Sequence, residues 1–149
     1  MVREPEFIVY TGPMFGSKTT KMLSVLERCS YQNRRVIAFK PKMDDRYSEG
    51  EICTHAGLKF PAVNVSTGQD ILELSKEYDV IGVDEAFMID DCAEVLISLY
   101  RAGKTVVVSS IQMSASGNIF SEVKEILPWA TKIEVCPAVC VKTGYDAYY

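Results

Sequence analysis

Five short runs of strand-type residues punctuate the chain, at 7–11, 36–40, 79–84, 105–109 and 131–135. Two contain near-continuous apolar stretches, VIGV and TVVV, the pattern of strands covered on both faces. Helical segments alternate with them. Residues 18–32 bring Met22, Val25, Leu26 and Cys29 onto one side at three- and four-residue spacing. Ile71, Leu72 and Leu74 mark a shorter helix. Residues 92–101 carry Val95, Leu96 and Leu99 on one face, with Gly103 as a stop. Phe120, Val123, Ile126 and Leu127 mark a last helix ending near Pro128. Alternation of this kind predicts β-α-β units, hence an α/β fold with a parallel sheet flanked by helices. Ligands of such sheets bind beyond the carboxyl ends of the strands, so the residues following each strand carry the functional interest. Residues 41–60 fit no period, and a loop this long is more often functional or mobile than inert.

Composition narrows the function classes. At 149 residues with 48% hydrophobic and 24% charged side chains, the chain is sized for one domain with a real core. A net charge of −4 excludes a broad basic surface, so neither nucleic acid nor membrane is an expected partner. No apolar run approaches the roughly 20 residues that span a bilayer. The N-terminus, MVREPEF, lacks the apolar centre of a signal peptide, which makes cytoplasmic residence the expectation. Five cysteines at 29, 53, 92, 136 and 140 form no disulfide framework and read as reduced thiols. Cys136 and Cys140 are spaced one residue wider than a common zinc knuckle, and no second pair follows.

Chemistry concentrates in residues 6–20, EFIVYTGPMFGSKTT. A strand, a glycine-containing loop and a helix start bearing Lys-Thr form an apparatus for gripping polyphosphate. Backbone N–H groups and the helix dipole attract the phosphates, Lys18 reaches the outer ones, and the Thr19 hydroxyl suits Mg²⁺. The strict pattern puts glycine directly before the lysine. Here Ser17 holds that place and glycine stands one step earlier, at Gly16. Serine is tolerated there if its backbone angles are open to L-residues. The run 78–85 is an apolar strand ending in two carboxylates. Asp84 fits a strand-end Mg²⁺ ligand. Glu85 either takes a proton from an attacking hydroxyl or water, or simply caps the following helix. Asp44, Asp45 and Arg46 form either a charge-neutralising loop or a solvated one. His55 is the lone histidine, assigned to packing or surface. Phe87 and Met88 either line a flat slot for a base or form the buried face of a helix start.

Taken together, GPMFGSKTT, KPKMDDRYS, CTHAG, VIGVDEAFM and PAVC resemble the thymidine kinase family of the tetrameric, cellular and viral type, from Phe7 to Tyr149. The wording is most similar to bacteriophage versions. The resemblance implies a P-loop NTPase domain of RecA-like type over residues 1–136, with 137–149 a remnant of the C-terminal zinc and lasso region. It implies transfer of the ATP γ-phosphate to the 5′-hydroxyl of thymidine, in deoxynucleoside salvage. Gly12, Pro13, Met14, Phe15, Gly16, Ser17, Lys18, Thr19 and Thr20 would bind ATP together with Asp84, Glu85, Ala86 and Phe87. Glu85, Lys18 and Arg46 would be catalytic, and Thr19, Asp84 and Asp45 would hold Mg²⁺. Met14, Phe87, Met88 and Ile111 would lie near the nucleoside. A homo-oligomer, tetrameric by resemblance, is implied. Three departures stand out: Gly16-Ser17 where the family has Ser-Gly, Phe87 in place of a glutamine or similar polar residue, and Thr143 where the family's C-x-x-C has its second cysteine. The last leaves Cys140 a vestigial ligand, with zinc expected to be absent and the lasso largely missing. A catalytically impaired nucleotide-binding module is the alternative those departures suggest.

Overall fold

The computed structural model of the protein describes residues 4–13, 17–42, 50–54 and 57–148. In chain order the elements are β1 (Phe7–Thr11), α1 (Lys18–Tyr31), β2 (Val36–Pro41), β3 (Glu51–Cys53), β4 (Lys59–Pro61), β5 (Val63–Val65), α2 (Gly68–Leu74) and β6 (Val80–Asp84). A 3-10 turn at Ala86–Met88 precedes α3 (Cys92–Arg101), β7 (Thr105–Ser110) and α4 (Ser121–Ile126). A second 3-10 turn, Leu127–Trp129, precedes β8 (Lys132–Val135), β9 (Ala138–Val139) and β10 (Asp146–Ala147).

Six strands form one parallel sheet in the order β5-β2-β6-β7-β1-β8. The alternation of side chains along each strand divides the core in two. Ile8, Tyr10, Ala38, Val80 and Val107 face α1, which answers with Met22, Leu23, Leu26 and Cys29. Gly82 permits the close fit on this face, because a Cβ there would lie 2.5 Å from Leu26 Cδ1. Phe7, Val9, Phe39, Ile81, Val83, Val106 and Val108 face the other way, against Ile71 of α2, Leu96 and Leu99 of α3 and Ile126 of α4. Each fully buried Leu, Ile or Phe of this kind contributes about 1.5–3 kcal/mol.

The two covers are built differently. α1 opens without an acidic residue in its first turn and without a side-chain cap. α2 has a capping box between Thr67 and Asp70. α3 borrows its cap: Asp91 does not supply one, and Glu122 of α4 accepts from the backbone N–H groups of Asp91 at 2.9 Å and Ala93 at 3.2 Å. Burial raises the Glu122 carboxyl above its ordinary range, against those two bonds, with the neighbouring charges of Glu125 and Asp91 adding to the rise.

Topology places the site. β1 hands the chain to α1 on one face, and β7 hands it to α4 on the opposite face. Adjacent parallel strands that diverge in this way open a crevice at their carboxyl ends. Among the described residues no helix is long and apolar enough to cross a membrane.

Candidate active site at the carboxyl edge of the sheet

The loop after β1 begins at a residue that only glycine can fill. Gly12 has φ of +139°, and a Cβ on it would stand 2.1 Å from the Cys136 carbonyl oxygen. That carbonyl is fixed because the Cys136 N–H donates to Thr11 O at 2.7 Å, carrying β8 alongside β1. Burial pushes the Cys136 thiol above its ordinary pKa. Pro13 follows; Met14, Phe15 and Gly16 lie outside the described residues. Ser17 has φ −84° and ψ 21°, angles open to any L-residue. Serine in the place of glycine therefore carries no backbone strain. Its hydroxyl bonds the Cys136 thiol rather than capping α1. No side chain caps the first-turn N–H groups at the positive dipole end of this 14-residue helix. Lys18 is buried, with Nζ donating to Pro13 O at 3.3 Å. Thr20 sits in the same first turn, its carbonyl accepting from Ser24 Oγ.

Three oxygens meet one residue further on. Asp84 and Ser109 are register partners on β6 and β7, so their side chains leave the same face of the sheet, the one covered by α1. Ser109 Oγ donates to Asp84 Oδ1 at 2.7 Å, and Thr19 Oγ1 donates to the same oxygen at 3.0 Å. The two hydroxyls are 3.4 Å apart. Asp84 is 5% exposed and Ser109 fully buried. Thr19 and Asp84 are the pairing the sequence suggested; Ser109 was missed, because a serine ending an apolar strand reads as a strand terminus. Register was the missing signal. A hydroxyl and a carboxylate held within hydrogen-bonding distance are hard oxygen donors, the type that Mg²⁺ takes.

Glu85 leaves β6 in the left-handed region, at φ 52° and ψ 49°. For a non-glycine residue this costs about 1–3 kcal/mol and persists only where the surroundings enforce it. It turns the chain at once into the Ala86–Met88 turn, closed by Met88 N donating to Glu85 O at 3.0 Å. The Glu85 side chain does not cap that turn. Half-buried beside Asp84, it stands at the strand's carboxyl end. Ala86 is buried beneath it, and Met88 is partly exposed.

The crevice between β1 and β7 is a cleft of about 610 Å³, lined by Gly12, Pro13, Ile111, Gln112, Met113 and Tyr148 among others. Ile111, expected near the nucleoside, lines this cleft. Gln112 and Tyr148 were not anticipated; Tyr148 arrives from the β9–β10 hairpin, which no periodicity announced. Phe87 and Met88 are not among the described lining residues. Phe87 instead packs its ring on Phe120, with centroids 4.7 Å apart. A cleft of similar size, about 660 Å³, lies on the outer side of α3, with none of these groups in its lining.

Asp44, Asp45, Arg46 and His55 lie outside the described residues. Cys140 opens the β9–β10 turn. The Thr143 hydroxyl, then the backbone N–H groups of Lys142 and Thr143, bond its thiol and hold its pKa below the ordinary value. Among the described residues no group of three or more His, Cys, Asp or Glu side chains is placed to hold a metal ion.

The parallel sheet, the β1–α1 loop with its buried lysine, and a threonine bonded to a strand-end aspartate are consistent with a P-loop-like kinase architecture. Sequence comparison is more specific. The thymidine kinase family model matches residues 6–149. The chain is 38% identical over 146 residues to the thymidine kinase of Thermococcus kodakarensis, covering 93% of this chain and 74% of that one. It is 33% identical over 141 residues to the thymidine kinase of Mesoplasma florum, covering 90% and 70% respectively. The chain belongs to the thymidine kinase family.

Proposed function

We propose that the protein is an ATP-dependent thymidine kinase, transferring the γ-phosphate of ATP to the 5′-hydroxyl of thymidine. The observation that carries this reading is the junction of Thr19, Asp84 and Ser109, which fastens the phosphate-loop helix to the strand-end carboxylate. One strand, β7, stands between β1 and β6, which supports the RecA-like branch of the P-loop fold.

The α1 N–H groups, with Gly12 and the loop after it, bind the ATP phosphates, and Lys18 exchanges its Pro13 carbonyl partner for phosphate oxygens. Thr19 and Asp84 would hold Mg²⁺, with Asp45 as a further ligand; when bound, the ion neutralises charge on the β- and γ-phosphates. The nucleoside occupies the cleft lined by Ile111, whose volume lies in the range of small-molecule sites. Glu85 accepts the 5′-hydroxyl proton as that oxygen attacks the γ-phosphorus. The bond to the β,γ-bridging oxygen breaks and ADP departs. A positioned carboxylate contributes roughly 10²–10⁴-fold. Arg46 would neutralise charge on the moving phosphoryl group. Homo-oligomeric assembly belongs to the same proposal.

The test is incubation of the protein with γ-labelled ATP, Mg²⁺ and thymidine. Labelled thymidine 5′-monophosphate is expected; its absence from folded protein at high enzyme concentration overturns the reading. Phosphate release independent of thymidine, lost in Lys18→Ala, would point to an ATPase instead.

A further inference from the structure

We propose that the Phe87–Phe120 ring pair is a positioning device. It locks the Glu85 turn to the segment that walls the cleft, so that the carboxylate and the nucleoside site keep a fixed relation. The inference rests on the functional reading above for its catalytic meaning.

Residues 111–120 form a unit bonded to itself. Met113 and Ile119 make an antiparallel bridge, Ser114 N donates to Asn118 O at 2.8 Å, Gly117 N donates to Ser114 O at 2.9 Å, and Phe120 N donates to Gln112 O at 3.3 Å. This unit supplies one wall of the cleft. Phe120 stands at its foot, where its carbonyl accepts from Lys124 N and starts α4. Across from it, Phe87 lies two residues beyond Glu85. Its ring makes a face-inclined stack on Phe120, 4.7 Å between centroids and 33° between planes.

Phe87 is tied at a second point. Its N–H donates to Ser110 Oγ at 3.2 Å, and that hydroxyl donates to Ile111 O at 3.0 Å. The consecutive serines ending β7 therefore hold both halves of the site: Ser109 binds Asp84, and Ser110 binds the turn after Glu85. A left-handed glutamate survives only where neighbours over-determine it. The backbone bond to Ser110 and the ring pair both hold Phe87, the middle residue of the turn that follows Glu85. Neither ring is among the described residues lining the cleft.

The experiment compares Phe87→Leu, Phe120→Leu, the double variant and Phe120→Tyr, using steady-state kinetics and hydrogen exchange at residues 85–89. Each leucine variant is expected to lower kcat roughly 10–100-fold with KM for ATP little changed, the cost of displacing a reacting group by about 1 Å. The double variant should be no worse than the weaker single one, and tyrosine should restore most activity. Exchange at 85–89 should accelerate in Phe120→Leu although the substitution is distant in sequence, with β1 and β7 amides unchanged as the folding control. Multiplicative losses, or wild-type exchange at 85–89 in Phe120→Leu, overturn the proposal. A wild-type protein without thymidine-dependent turnover defeats the functional reading instead, and the exchange result then decides the coupling alone.

Discussion

Ser109→Ala isolates the least conspicuous member of the site. The substitution removes one oxygen from a fully buried position, and that oxygen lies 2.7 Å from Asp84 Oδ1. A hydrogen bond to a carboxylate contributes about 1.5–3 kcal/mol. Thr19 Oγ1 remains 3.0 Å from the same oxygen and retains part of the interaction. A loss of about 1–2 kcal/mol follows, at and below the foot of that range because Thr19 remains. With a urea slope of about 2 kcal/mol/M, the unfolding midpoint falls by roughly 0.5–1 M at unchanged slope. The same free energy, if expressed in the transition state, lowers kcat/KM by roughly 5–30-fold. Under the proposed function Thr19→Val should cost more in activity than in stability, since its hydroxyl would serve Mg²⁺ as well as bond Asp84. Because both hydroxyls meet one acceptor, the two substitutions should not add. An unmoved midpoint in Ser109→Ala, or additivity within about 0.5 kcal/mol in the double variant, refutes the shared-acceptor geometry.

Gly12→Ala should destabilise the protein by roughly 1–3 kcal/mol through its clash with the Cys136 carbonyl, and should abolish nucleotide binding; calorimetry and urea unfolding read both. Glu85→Gly should raise the unfolding free energy by about 1 kcal/mol by relieving the left-handed strain while eliminating turnover, so that stability and activity move in opposite directions. The Arg35 N–H bonded to Asp79, with the Arg35 side chain, holds that carboxyl below its ordinary pKa. A depressed carboxylate stabilises the fold above its unfolded pKa, and this contribution disappears as pH falls through the lowered value. Asp79→Asn should therefore flatten the stability profile between those two values. Glu122→Ala should cost about 1 kcal/mol, measured by thermal unfolding, because it strips the borrowed cap from α3.

The sheet was legible because its inner strands are buried on both sides and leave runs such as VIGV and TVVV. α1 was legible from its stripe, although Leu23 widens the buried face beyond the residues the spacing picked out. β5 escaped notice: three residues with Val63 exposed at the sheet's edge carry no periodic signal. The β3–β4 hairpin, equally short, lay inside a stretch read as aperiodic loop. Within the candidate site, type and order at strand ends single out Lys18, Thr19, Asp84 and Glu85. Ser109, Ser110 and Tyr148 did not, since their places depend on cross-strand register or on a tail that folds back. The threat posed by Ser17 also needed coordinates to judge, because one φ angle decides whether a Cβ is harmless there.

The most direct measurement pairs binding with turnover in Glu85→Gln. Calorimetry with ATP and Mg²⁺ should give near-wild-type affinity, since the amide has the shape of the carboxylate and leaves the Thr19–Asp84 and Lys18–Pro13 bonds in place. Formation of thymidine monophosphate by the same preparation should fall by roughly 10²–10⁴-fold. Turnover at the wild-type rate would contradict the assignment of Glu85 as the proton acceptor, and with it the division of labour between the loop that holds nucleotide and the strand end that activates the nucleoside.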